Sequence, residues 1–118
     1  MAGWRIDRGD RRALLERFPA RYRNVIADHV TYGHAALADL PAHETAELIG
    51  RADDGSGVEA MVVSLGGSHA RPTGGTYHMT WSLEPGRGAA ESNDVIAQRG
   101  WEPLGEAVRV RLEPALWD

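Results

Sequence analysis

Two short segments carry the residue types most suited to chemistry: His29-Val30-Thr31 and His78-Met79-Thr80. Each reads histidine, apolar residue, hydroxyl residue. In a β-strand, residues two apart point to the same face, so each triplet presents an imidazole beside a hydroxyl while Val30 or Met79 faces the core. Two such strands set together would surround one small cavity with two imidazoles and two hydroxyls. That set suits cleavage of a cyclic phosphate. A base must take a proton from water, and an acid must protonate the departing ribose oxygen. Histidine titrates near neutrality and fills either role. In-line displacement puts the two rings on opposite sides of phosphorus, and threonine hydroxyls can donate to the non-bridging oxygens. This chemistry requires no metal and no cofactor.

With five histidines and ten serines and threonines in the chain, two such triplets arise by chance with a probability of about 0.02. Against them stands a plainer reading, in which a strand histidine is a hydrogen-bonded packing residue and threonine a good strand former. His69 and Arg71 lie in the glycine-flanked loop Gly66 to Gly75. That loop either closes over substrate, with Arg71 on phosphate, or is an exposed hairpin loop. His34, His43 and His69, set beside His29, make no recognised metal-ligand spacing, and there is no cysteine to help. Gly66-Gly67 and Gly74-Gly75 lack the lysine and helix start of a phosphate-binding loop.

The elements that must position these residues are mostly strands. Asp10 is expected to cap a helix from Arg11 to Arg17, with Pro19 closing it. Val25 and Ile26 lead into a strand through His29 to Tyr32, ended by Gly33. Residues 35–44 read as loop. Thr45 to Ala52 and Val58 to Leu65 form a hairpin about the turn Asp53-Asp54-Gly55-Ser56-Gly57. Thr76 to Leu83 carries the second triplet. Ser92 is expected to cap a helix through Arg99, stopped by Gly100. Glu106 to Glu113 alternates as a half-buried edge strand. The order α-β-β-β-β-α-β makes an α+β domain with a mostly antiparallel sheet and flanking helices. Tyr32, Tyr77 and most of the four tryptophans are expected in or beside the core.

At 118 residues the chain is expected to form one domain, residues 1–118. It has no apolar run long enough to span a membrane, no secretion signal at the N-terminus and no disulfide framework, so a cytoplasmic location is expected. A net charge of −4 argues against a general nucleic-acid coat. All thirteen basic residues are arginine, and seven fall at or before Arg23. Either GC-rich coding or a phosphate-attracting N-terminal face explains that bias.

The paired triplets resemble the two-histidine phosphoesterase superfamily, whose signature is two histidine-x-threonine/serine motifs on the central strands of a bilobal α+β fold. The stretches Leu14-Leu15-Glu16-Arg17-Phe18-Pro19, Asp28-His29-Val30-Thr31-Tyr32-Gly33, and Ser92-Asn93 with Gly100 and Pro103-Leu104 look like the cyclic phosphodiesterase domain of fungal tRNA ligases and its small bacterial relatives. The resemblance implies a compact version of that fold. It also implies hydrolysis of 2′,3′-cyclic phosphates on RNA ends or nucleotides, leaving a 2′-phosphate. His29, Thr31, His78 and Thr80 become the catalytic quartet, with His78 activating water and His29 protonating the leaving oxygen. Arg71 and His69 are the expected substrate-binding residues. Superfamily members are longer, with motifs farther apart. The competing class is a module that binds phosphorylated nucleotide or RNA ends without turnover. Whether copies associate is left open.

Overall fold

Alternating apolar residues generate a sheet that needs cover on both faces. In a computed structural model describing residues 1–118, the chain runs β1 (Ala2–Ile6), α1 (Arg8–Arg17), β2 (Asn24–Val25), β3 (His29–Gly33), a single 3-10 turn (Leu37–Asp39), β4 (Thr45–Asp53), β5 (Val58–Ser64), β6 (His78–Leu83), α2 (Glu91–Arg99) and β7 (Glu102–Leu116). The strands form one seven-stranded sheet in the order β2-β6-β5-β4-β7-β1-β3. Every pairing is antiparallel. The protein is therefore an α+β fold with an antiparallel sheet and flanking helices. Neither helix is long and apolar enough to cross a membrane.

β5 shows why both faces are covered. Val58, Ala60 and Val62 pack with Val95 and Ile96 of α2. Met61 and Val63 face a larger cluster with Trp4, Val30, Met79, Trp81 and Leu14 of α1. Two consecutive sets of period 2 are thus buried on opposite sides. Ile49 is an extra residue of β4 against β5, and β7 bulges over residues 104–107 opposite it. A side-chain carbon at Gly50 would come within 2.0 Å of the Trp101 ring, so only glycine lets that indole lie against the strand.

Several elements differ from the sequence reading. β1 was not expected, yet its Trp4 and Ile6 are core residues. The first helix starts earlier because Asp7, not Asp10, accepts the free amide of Asp10 (2.9 Å). Asp10 instead holds Arg111 through two carboxylate contacts. Ser92 does not cap α2; it is buried one residue inside the helix. The N-cap is Ala90, which has no side-chain oxygen to cap with, and Glu91 inside the first turn accepts the preceding Gly88 amide at 2.7 Å. β7 is no edge strand: its early residues pair with β4 and residues 112–116 with β1. Its charged alternate residues lie on a solvent face, and that pattern is the same for an edge strand as for a central strand open on one side.

β2 and β3 are consecutive in the chain but stand at opposite ends of the sheet. The crossing takes three residues. The amides of Ile26 and Ala27 bond Trp81 and Thr80 carbonyls on β6, and the Asp28 carbonyl already accepts from Ile6 of β1. Ala27 makes the turn with φ of +42°, the one non-glycine residue at positive φ. The sheet curls until its two ends meet, leaving a fork between β3 and β6.

Candidate functional site

The two triplets sit on the two arms of that fork. The last backbone bond joining the arms runs from the Ala27 amide to the Thr80 carbonyl at 3.0 Å. His29 lies two residues beyond Ala27, and His78 two residues before Thr80. Val30 and Met79 are fully buried in the same core cluster. The alternation therefore turns His29, Thr31, His78 and Thr80 outward, and all four line one cleft of about 400 Å³. Arg71, Asn93 and Tyr32 complete much of its wall.

Each imidazole is oriented by an oxygen at Nδ1. His78 Nδ1 lies 2.8 Å from the Thr76 carbonyl. A carbonyl can only accept, so Nδ1 carries the proton and Nε2 keeps its lone pair when the ring is neutral. Burial pulls the His78 pKa below the ordinary histidine value, and the nearby Arg71 and His29 charges add to this against the Thr76 bond. His29 Nδ1 lies 3.1 Å from Asp28 Oδ2. Burial pushes the Asp28 carboxyl up, but hydrogen bonds from His29 and Arg8 outweigh it and hold the group below its usual range. It is therefore a carboxylate at neutral pH, anchored by Arg8 Nη1 at 3.0 Å. The Trp117 ring packs on His29, centroids 4.4 Å apart, and restricts its rotation. Both rings thus have Nε2 as the nitrogen left for a ligand.

No family model matches this sequence, and no curated protein or solved structure matches the chain. The chemistry of the cleft rests on its own residues.

The two hydroxyls are not equivalent. Thr31 lines the cleft with no protein partner for its hydroxyl. Thr80 is nearly buried and is paired with Ser92 Oγ at 2.9 Å and the Ala89 carbonyl at 3.3 Å. Arg71 closes the open end of the fork. Its guanidinium donates to the carbonyls of Gly74 (2.7 Å) and Thr31 (3.3 Å) and to Asn93 Oδ1 (3.2 Å). Of five N–H groups, two remain for an anion. The loop that carries it is a fastened hairpin rather than a free one. Ala70 bridges Thr76, and the Thr73 hydroxyl donates to the Tyr32 carbonyl of β3.

His69 is not brought to the cleft. It is exposed and does not line this cleft, standing edge-on to Trp101 with ring centroids 5.5 Å apart. His34 does line the cleft at its exposed rim, although the sequence reading weighed it only as a metal ligand. No three His, Asp or Glu side chains are arranged to hold a metal ion. Asp28 and Asn93 are site residues to which sequence reasoning gave no individual role, and Ser92 is one to which it gave only a capping role. Adjacency to His29 was the available signal for Asp28, while Ser92 carried a capping signal that pointed elsewhere.

Proposed function

We propose that this cleft hydrolyses 2′,3′-cyclic phosphates by paired histidine acid–base catalysis. The observation that carries the reading is two imidazoles on facing strands, each with Nδ1 engaged by an oxygen and Nε2 left for a ligand in one cleft. His78, buried and drawn toward its neutral form, removes a proton from water through Nε2. The water oxygen attacks phosphorus, and the bond from phosphorus to the ribose 3′ oxygen breaks. His29, with Asp28 behind it, gives its Nε2 proton to that oxygen, leaving a 2′-phosphate and a 3′-hydroxyl. The Thr31 hydroxyl and one of the two remaining Arg71 N–H groups would donate to the non-bridging oxygens. Thr80 serves first to tie β6 to α2 through Ser92.

The test is turnover of an oligonucleotide ending in a 2′,3′-cyclic phosphate, with and without chelator. Product formed at the same rate in both conditions supports the proposal. Tight binding without product would make the protein a recognition module instead.

The pH dependence follows from which ring must lose its proton. The base must be neutral, so kcat/KM falls as pH drops through the His78 pKa. Burial lowers that pKa, so the acidic limb is expected below the ordinary histidine value of about 6.5. The acid must be charged, so the rate falls again on the alkaline side and the profile is a bell. A rate independent of pH between about 5 and 8 would contradict a histidine pair.

A further inference from the structure

We propose that the cleft continues into a second compartment that takes the penultimate nucleoside of an RNA chain, making an RNA 3′ end the preferred substrate over a free nucleotide. The proposal rests on the reading of the histidine cleft given above. A cavity of about 510 Å³ adjoins the first, and Arg71, Thr73, His78 and Asn93 belong to the walls of both. Each compartment has the volume of a small-ligand site. One cyclic nucleotide therefore occupies the first and leaves the second for what is joined to it.

The chemistry of the second wall identifies that occupant. Trp101 lies at its end, half-buried, held against Gly50 on β4 and met edge-on by His69. A fixed, partly open indole is a stacking surface for a base. Near the start of α2, exposed Asp94 offers a carboxylate to base edges. Asn93, whose oxygen accepts from Arg71 and whose nitrogen donates to the Ala90 carbonyl, keeps one N–H for them. Asp94 disfavours a second phosphate there, so the occupant is a nucleoside. Arg71 stands where the compartments join, and with one of its two free N–H groups on the reacting phosphate the other is left for a neighbouring one. The phosphodiester that links the last two nucleosides passes at that point.

Calorimetry with uncleavable product-type ligands tests the subsite apart from the reaction. A dinucleotide ending in a 2′-phosphate is expected to bind at least about tenfold more tightly than a nucleoside 2′-phosphate. Trp101→Ala should bring that ratio close to one. Ala97→Glu, on the exposed face of α2 that lines the compartment, should do the same without touching the core. Equal affinity for the two ligands, including failure of both to bind, overturns the subsite. Hydrolysis of cyclic mono- and dinucleotides with equal kcat/KM removes the subsite and leaves the reaction. A retained dinucleotide preference with no hydrolysis removes the reaction and leaves an RNA-end site.

Discussion

His78→Asn is expected to lose hydrolysis of cyclic-phosphate substrates by about 10²–10⁴-fold, the range for removal of a general acid or base. Asparagine can still donate to the Thr76 carbonyl, which anchors His78 in the wild type, so the fold of β6 should survive. His29→Ala should lose a similar factor on the same substrate. The two variants separate when the leaving group changes. A p-nitrophenyl phosphodiester departs without being protonated, so His29→Ala should return to within about tenfold of wild type, since only the acid's contribution has become unnecessary. His78→Asn should stay slow, because water still needs a base. Rescue of the His78 variant in place of the other would exchange the two roles. Wild-type rates in both variants would show that the cleft is not where chemistry occurs.

The largest stability effect is expected at Glu59, a carboxylate with no exposed surface. Its Oε1 accepts from Ser82 Oγ at 2.7 Å and from the Arg21 amide at 3.1 Å. Oε2 lies 2.9 Å from Arg51 Nη2, off the line of a hydrogen bond, and 3.6 Å from Arg21 Nε. Arg51 is itself mostly buried, with its guanidinium over Phe18. Glu59→Ala therefore strands a cation, a hydroxyl and an amide at once. Breaking one side of a buried pair costs about 3–5 kcal/mol, a large share of the roughly 5–15 kcal/mol that keeps a domain folded. Thermal unfolding should shift down by roughly 12–20 °C, given the entropy of unfolding for a chain of this length. Replacing Arg51 and Glu59 together by methionine should recover much of the loss, since no uncompensated charge remains. A shift of less than about 4 °C in Glu59→Ala would mean that water or a rearranged Arg21 already satisfies the site.

What was legible in the sequence is what depends on period and local turn chemistry. The β4–β5 hairpin lies where the alternation and the Asp53–Gly57 cluster put it, with Asp54 accepting the Ser56 and Val58 amides inside the turn. The common face of each histidine and threonine followed from the same period, and so did the burial of Val30 and Met79. What was not legible depends on partners distant in sequence. Nothing in Ala-Gly-Trp-Arg-Ile announces a strand; β1 is stabilised by β3 on one side and β7 on the other. A strand's place in the hydrogen-bonded order leaves no trace in its own residues, so β7 read as an edge. His69 and Arg71 are two residues apart, but the hairpin tip folds back through Arg71 N–H to the Gly75 carbonyl and sends only Arg71 toward β3. Asp28 needed the fork to acquire its meaning.

β7 has a further bearing on the pair of rings. One strand of 15 residues, bulged over residues 104–107, serves first the half of the sheet that carries β6 and then the half that ends in β3. It acts as the pivot of a pair of tongs whose tips are the imidazoles. The tips are held to each other twice, around the sheet through that strand and directly across the fork by the Ala27–Thr80 bond and the Arg71 and Thr73 contacts with β3. A substituent caught in the cleft therefore meets a closed ring rather than two free arms.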